Sequence, residues 1–211
     1  MRQPTAMRLA LSGLDRLPRV PEVPEGYLLR TWRDGDEVAI PALLGEAFGP
    51  SRASFHDLQQ FWLTHPGIRP EGIFIIESEV GEVAGTATAR IDEVQDHAGY
   101  VHRVAVRRTH RRRGLATLVV LKALHHIADH HGRPALVETN EDNMLAISLY
   151  LKLGFEPAIE DEQTSAQWQE IRSVLSQRVH ATPDRRLEQI DLSLLRFLNC
   201  HSQSQTRNRL L

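Results

Sequence analysis

The 211-residue chain holds a single cysteine, Cys200, so no intrachain disulfide can form and a reducing compartment is the expected setting. No apolar run approaches the roughly 20 residues that a membrane-spanning helix needs, and no membrane partner is expected. The opening residues, Met1-Arg-Gln-Pro-Thr-Ala-Met-Arg-Leu-Ala-Leu, carry too short an apolar run for a secretory signal. A cytoplasmic protein is therefore expected, with an organellar transit peptide as the less favoured reading. Net charge is only −2, so no global field drives association with nucleic acid. Aromatic residues make up 6% of the chain and none is interleaved with the basic cluster, which leaves no stacking platform for bases there. There is no internal repeat.

What is present is ordinary for a soluble globular protein: 41% hydrophobic and 25% charged residues, enough for one domain with extensions. The basic residues are concentrated at Arg103, Arg107, Arg108 and Arg111 to Arg113. There, an apolar β-branched stretch from Val101 runs into Arg111-Arg112-Arg113-Gly114-Leu115-Ala116-Thr117 and then into a helical apolar pattern. A strand that ends in a basic, glycine-containing loop and opens a helix gathers orphan backbone N–H groups and the positive end of the helix dipole around one point. Gly114 lets backbone approach a ligand closely, and the arginines add charge-assisted bonds to phosphate. The arrangement suits a pyrophosphate.

Arg111-Arg112-Arg113-Gly114-Leu115-Ala116 resembles the R/Q-x-x-G-x-G/A acetyl-CoA signature of the GCN5-related N-acetyltransferases, and Val104-Ala105-Val106 resembles that family's fourth strand. Downstream, Asn143 to Phe155, with Ala146, Tyr150 and Gly154 between, resembles its N-x-x-A-x-x-L-Y-x-x-x-G-F segment. The two segments stand in the family's order, and the resemblance covers residues 27–160. It implies a mixed α/β fold, a central mixed sheet flanked by helices, here with extra C-terminal helices. It also implies acetyl-CoA as acyl-donor cosubstrate, no metal, and a small-molecule or peptide amine as acceptor. The backbone of Val104, Ala105 and Val106 would meet the thioester and pantetheine. Arg111, Arg112, Arg113, Gly114, Leu115, Ala116 and Thr117 would hold the phosphates, and Asn143 and Tyr150 would line the donor site.

Punctuation by Pro and Gly sets the organisation. Residues 1–26 read as an extension ending in a Pro-rich linker, 27–160 as the transferase domain, 161–200 as a helical extension and 201–211 as a polar tail. Within the domain, strands are expected at 27–32, 72–78, 83–91, 100–106, 135–139 and 155–159. Helices are expected after Asp34-Gly35-Asp36 and at 54–64, 115–131 and 143–153. A further strand is expected soon after 159 by the resemblance. Instead residues 164–175 read as a helix with Trp168, Ile171 and Leu175 on one stripe, and 184–199 as a second amphipathic stretch. Covering the domain's own core is the favoured role for both.

Acyl transfer to an amine needs a held donor, an unprotonated amine, an oxyanion stabiliser and a proton for the leaving thiolate. By the resemblance, Tyr150 is the general acid; two helical turns separate it from Asn143, on the same face. His102 is the first candidate base, two residues before Val104 and so expected on its face, with an ordinary imidazole pKa near 6.5. Glu138, on the next strand, is the second. His126 and His130 have metal-ligand spacing, but the pattern lacks the companion Glu and an exposed helix face is the favoured reading. The alternatives are a regulatory domain that holds an acyl-CoA without turnover and, less favoured, a nucleic-acid-binding module using the basic cluster.

Overall fold

A computed structural model describes residues 6–49, 64–92 and 97–181. In chain order its strands are β1 (Ala6–Leu11), β2 (Tyr27–Thr31), β3 (Ile68–Ser78), β4 (Val83–Asp92), β5 (Ala98–Val106), β6 (Ala135–Asn140) and β7 (Glu156–Pro157). The α-helices are α1 (Asp36–Phe48), α2 (Leu115–Asp129), α3 (Met144–Lys152) and α4 (Glu162–Ala181). The expected helix at 54–64, apart from Thr64, lies outside the described residues, as do the stretch at 184–199 and the tail from His201. The described residues fall into two compact bodies, one from residues 12–137 and the other from residues 6–11 with 138–181.

In the larger body the strands run in the order β2-β3-β4-β5-β6. The first three pairings are antiparallel and β5 pairs β6 in parallel. A parallel pair needs a crossover, and α2 supplies it. This is the mixed α/β class read from the sequence. Strand alternation sends Ile73 and Ile75 of β3 to one face, where they pack with Ile40, Leu43 and Leu44 of α1, Val83 and Ala105. Phe74, between them, points the other way and meets His126 of α2 edge-on, ring centroids 5.8 Å apart. That contact leaves His126 half-buried, whereas His130 is exposed. On the same face α2 lies directly on the β5 backbone: a Cβ at Gly99 would overlap Ile127 Cγ2. A buried charge network fastens α1 to the sheet. Arg30 of β2 makes two 2.7 Å bonds to Asp36, the first residue of α1, and a 2.6 Å bond to Glu77 of β3. The Asp36 carboxylate raises the Arg30 pKa, and Arg30 in turn lowers that of Glu77.

In the smaller body, β1 pairs antiparallel with β7, Leu9 opposite Pro157 and Ala10 opposite Glu156. The residues expected to be an extension thus include a strand, with Met7, Leu9 and Leu11 buried and Ala6 and Arg8 exposed. The strand expected at 155–159 is two residues long, and the Ala158 N–H still reaches the Arg8 carbonyl at 3.0 Å. On α4, Trp168, Ile171 and Leu175 are all buried, the stripe read from the sequence.

The end of α3 explains the spacing of Tyr150, Gly154 and Phe155. The Phe155 N–H reaches the Tyr150 carbonyl at 3.0 Å and the Gly154 N–H reaches that of Leu151 at 3.1 Å. Gly154 takes φ of 89°, and the Tyr150 and Phe155 rings meet edge-on at 5.7 Å. These are the paired bonds, left-handed residue and apolar contact of a Schellman cap. Gly154→Ala should cost about 1–2 kcal/mol, the penalty of a left-handed alanine. The melting temperature should then fall by a few degrees. Thermal unfolding of the purified variant checks this; an unchanged melting temperature would mean the cap adds no stability.

Candidate functional site

The basic loop leaves β5 through a short 3-10 turn at Arg108–His110 and reaches α2 by two left-handed residues, Arg112 (φ 66°) and Gly114 (φ 79°). A Cβ at Gly114 would meet nothing within 4 Å, so the backbone angle and not crowding inside the protein is what favours glycine there. Arg111, Arg112, Arg113 and Gly114 are exposed, Leu115 is buried, and Ala116 and Thr117 are half-buried. Leu118 is the first residue of α2 to donate into the helix, to the Gly114 carbonyl at 3.1 Å. The amides before it have no acceptor within the helix, as at any helix N-terminus. The loop is tied down behind: the Arg108 amide bonds Glu46 at 2.6 Å, Arg107 bonds Glu46 at 3.2 Å and Glu82 at 3.0 Å, and Arg111 Nε donates to the Val106 carbonyl. His110 is held by both ring nitrogens, between Tyr27 Oη at 2.8 Å and Glu82 at 2.9 Å. Part of the basic cluster therefore serves the fold, with Arg107 neutralised from two sides.

Upstream of the loop, β5 is irregular. His102 pairs with Thr88 and Ala105 with Thr86, so Arg103 and Val104 together face the single residue Ala87. This is a β-bulge, and Arg103 has φ of 53°, an uncommon angle outside glycine. The extra residue shifts the alternation. Thr88 also pairs with Ile73, whose side chain faces α1, so His102 lies on the α1 side together with Ala105. The expectation that His102 and Val104 share a face by simple two-residue spacing fails for this reason. The parallel register with β6 covers Gly99, Tyr100 and Val101, whereas β5 continues to Val106. Within the larger body, Val104, Ala105 and Val106 thus border a length of strand edge beyond that register.

His102 is half-buried and does not titrate near 6.5 as expected. Burial first, and then the charges of Arg90, Arg103 and His65, push its pKa down to about 4. It is neutral through the physiological range.

In the smaller body, Asn143 caps α3, its side-chain oxygen accepting the Ala146 amide at 3.3 Å. Tyr150 is buried, and burial raises its phenol above the ordinary value, so the hydroxyl keeps its proton. Glu138 is half-exposed and bonded by Arg8 through Nε at 3.0 Å and a terminal nitrogen at 2.9 Å; Arg8 also reaches Glu160. That pairing holds the Glu138 carboxylate in place by a partner the sequence reading did not include. Among the described residues there is no group of three His, Cys, Asp or Glu side chains that could hold a metal, and no helix long and apolar enough to cross a membrane.

The profile of the Acetyltransferase (GNAT) family matches residues 38–155, and the chain belongs to that family. Mycothiol acetyltransferase of Thermobifida fusca is 32% identical over 177 residues, covering 74% of this chain and 54% of the relative. The enzyme of that name from Mycolicibacterium smegmatis is 31% identical, covering 68% of this chain and 50% of the relative. Among solved structures, a GCN5-related N-acetyltransferase from Sphaerobacter thermophilus matches with TM-score 0.62 and 27% identity over 74% of this chain and 50% of its own. A tandem GNAT protein from the clavulanic acid biosynthesis pathway matches with TM-score 0.58 and 28% identity, over 73% of this chain and 50% of its own. The chain spans about half the length of these relatives.

The pKa of His102 carries a stability consequence. Its folded value lies below its unfolded value of 6.5, so the unfolded chain binds the proton more readily. The neutral ring's contribution is complete above about 6.5 and is lost progressively as pH falls through about 4. His102→Gln should flatten the decline of the melting temperature across that window relative to the parent. Parallel declines in the two proteins would contradict the burial argument.

Proposed function

We propose that the chain is an acetyl-CoA-dependent N-acetyltransferase that passes the acetyl group to a small-molecule amine in a ternary complex. The observation that carries this reading is the continuity of the bulged end of β5 with the loop that Gly114 closes over the start of α2, inside the family match at residues 38–155. The amides of Leu115, Ala116 and Thr117, with Arg111, Arg112 and Arg113, bind the pyrophosphate. Backbone groups of Val104, Ala105 and Val106 take the pantetheine arm, and an N–H there stabilises the tetrahedral oxyanion. Asn143 supports the donor side by fixing the start of α3.

The amine nitrogen attacks the thioester carbonyl; the C–N bond forms and the C–S bond breaks. Tyr150 donates its phenolic proton to the departing thiolate, whose conjugate acid sits near 8.5 as a free thiol. Its raised pKa keeps the phenol in the protonated form that a donor needs. His102 faces the acceptor. Held neutral with a pKa of about 4, it is a weak base that accepts the proton from the attacking nitrogen once C–N bond formation has made that nitrogen acidic. Glu138, bonded to Arg8, is the second base. The mycothiol acetyltransferase relatives favour a small-molecule acceptor over a macromolecular one. The same composition that lacks disulfides and membrane spans favours the cytoplasm.

A domain that holds the cofactor without turnover would release no thiol with any amine. The test is thiol release from acetyl-CoA with an amine panel, repeated on Tyr150→Phe. The variant keeps the ring and its contact with Phe155 while deleting the hydroxyl. The rate should fall by roughly ten- to a thousandfold, as for loss of one general acid, with little change in acetyl-CoA affinity. A full rate in the Phe variant removes Tyr150 from the chemistry. Absence of thiol release with every amine favours the non-catalytic reading.

A further inference from the structure

On the α1 side of the sheet, where β5 begins, four polar side chains share a face. Arg90 pairs across the strands with Tyr100, and Thr88 with His102. The Arg90 guanidinium carbon lies 4.0 Å from the Tyr100 ring centroid, and the Tyr100 and His102 rings are 5.9 Å apart. Arg90, Tyr100 and His102 are half-buried, while Thr88 beneath them is fully buried. The hydroxyl of Thr88 and Nε of Arg90 are both buried without a hydrogen-bond partner.

Arg90 differs from other arginines of the described residues. Arg30 is bonded to Asp36 and Glu77, Arg33 to Glu77, Arg107 to Glu46 and Glu82, and Arg8 to Glu138 and Glu160. No carboxylate among the described residues pairs with Arg90, which has the Tyr100 ring instead. A partly desolvated cation without a counter-ion is costly. A planar guanidinium stacked on an aromatic ring is a pre-organised fork for an oxyanion. The positive field of Arg90 also disfavours a protonated His102, and an anion bound beside it would relieve that penalty.

We propose that Arg90 binds an oxyanion group, carboxylate or phosphate, carried by the amine acceptor itself, so that the enzyme selects acidic amines over uncharged amines and polyamines. Thr88 is the second unsatisfied group of the same patch, and Tyr100 and His102 form its wall. This rests on the acceptor side lying at His102, as argued above. The bound anion places the amine of the same molecule near the His102 ring.

The test uses matched pairs. The full-length protein is given each α-amino acid against its decarboxylated amine, phosphoethanolamine against ethanolamine, and spermidine. Two readouts run in parallel: kcat/KM for acetylation, and calorimetric affinity of the N-acetylated pair members with CoA present. The acidic member of at least one pair should be favoured by about tenfold or more, the value of one charge-assisted fork. The amino-acid pairs report a carboxylate preference and the phosphoethanolamine pair a phosphate preference. Arg90→Gln should bring that ratio near one, and Arg90→Lys should keep part of it. A ratio near one for every pair in the parent, or an equal loss for both members of a pair in Arg90→Gln, overturns the proposal. If no amine is acetylated, the catalytic reading falls, yet the calorimetric ratio still decides whether Arg90 holds the anion.

Discussion

The larger body turns on the register of β5 against β4, where Arg103 and Val104 oppose Ala87 alone. A regular antiparallel pairing would have bonded alternate residues of that stretch to β4 and kept strict alternation of the side chains. The bulge breaks both patterns. It leaves backbone groups of one residue unpaired and turns Ala105 toward the α1 core while keeping His102 on that face. The strand then delivers its chain into a loop with two left-handed residues, Arg112 and Gly114, the second immediately before α2. Glu46 and Glu82 pair with Arg107 and Glu46 bonds the Arg108 amide, while Arg111, Arg112 and Arg113 stay exposed. Backbone amides are good phosphate ligands only when such a framework holds them in place.

The smaller body applies a similar economy to different residues. Asn143 starts α3 with a side-chain cap, and Gly154 with Phe155 ends it in a Schellman turn whose apolar contact is the Tyr150 ring. Residues with candidate roles in acyl transfer are therefore also the residues that define the helix. Burial raises the phenol's pKa further above its ordinary value, and the Schellman turn sets the Tyr150 ring against Phe155.

Much of this was legible in the sequence. The loop from Arg111 to Ala116 and the segment from Asn143 to Phe155 carry the family match, and the periodicities gave β2 to β6, α1 to α3 and the buried stripe of α4 within a few residues. Other features left weaker signals. The alternation of Met7, Leu9 and Leu11 marks β1, but it follows no turn and precedes a Pro-rich stretch, so it reads as an extension. The bulge at Arg103 has no glycine to announce it, and without it the spacing of His102 and Val104 points to a shared face. The ordinary pKa assumed for His102 ignores the neighbours that the fold brings to it, Arg90 from β4 and His65 from the residues before β3. The partners of Glu138 and the isolation of Arg90 depend on contacts far apart in sequence, which no local pattern encodes.

We propose that the donor binds along the bulged end of β5 and at the start of α2. Hydrogen–deuterium exchange of the protein with and without saturating acetyl-CoA measures it directly, because amides that donate to a ligand oxygen are protected from exchange in proportion to the ligand's occupancy. Exchange should slow at residues 104–106 and 114–117, with no comparable protection at the far end of α2 around Asp129. Protection confined to other segments, or none at ligand concentrations that raise the melting temperature, would contradict it.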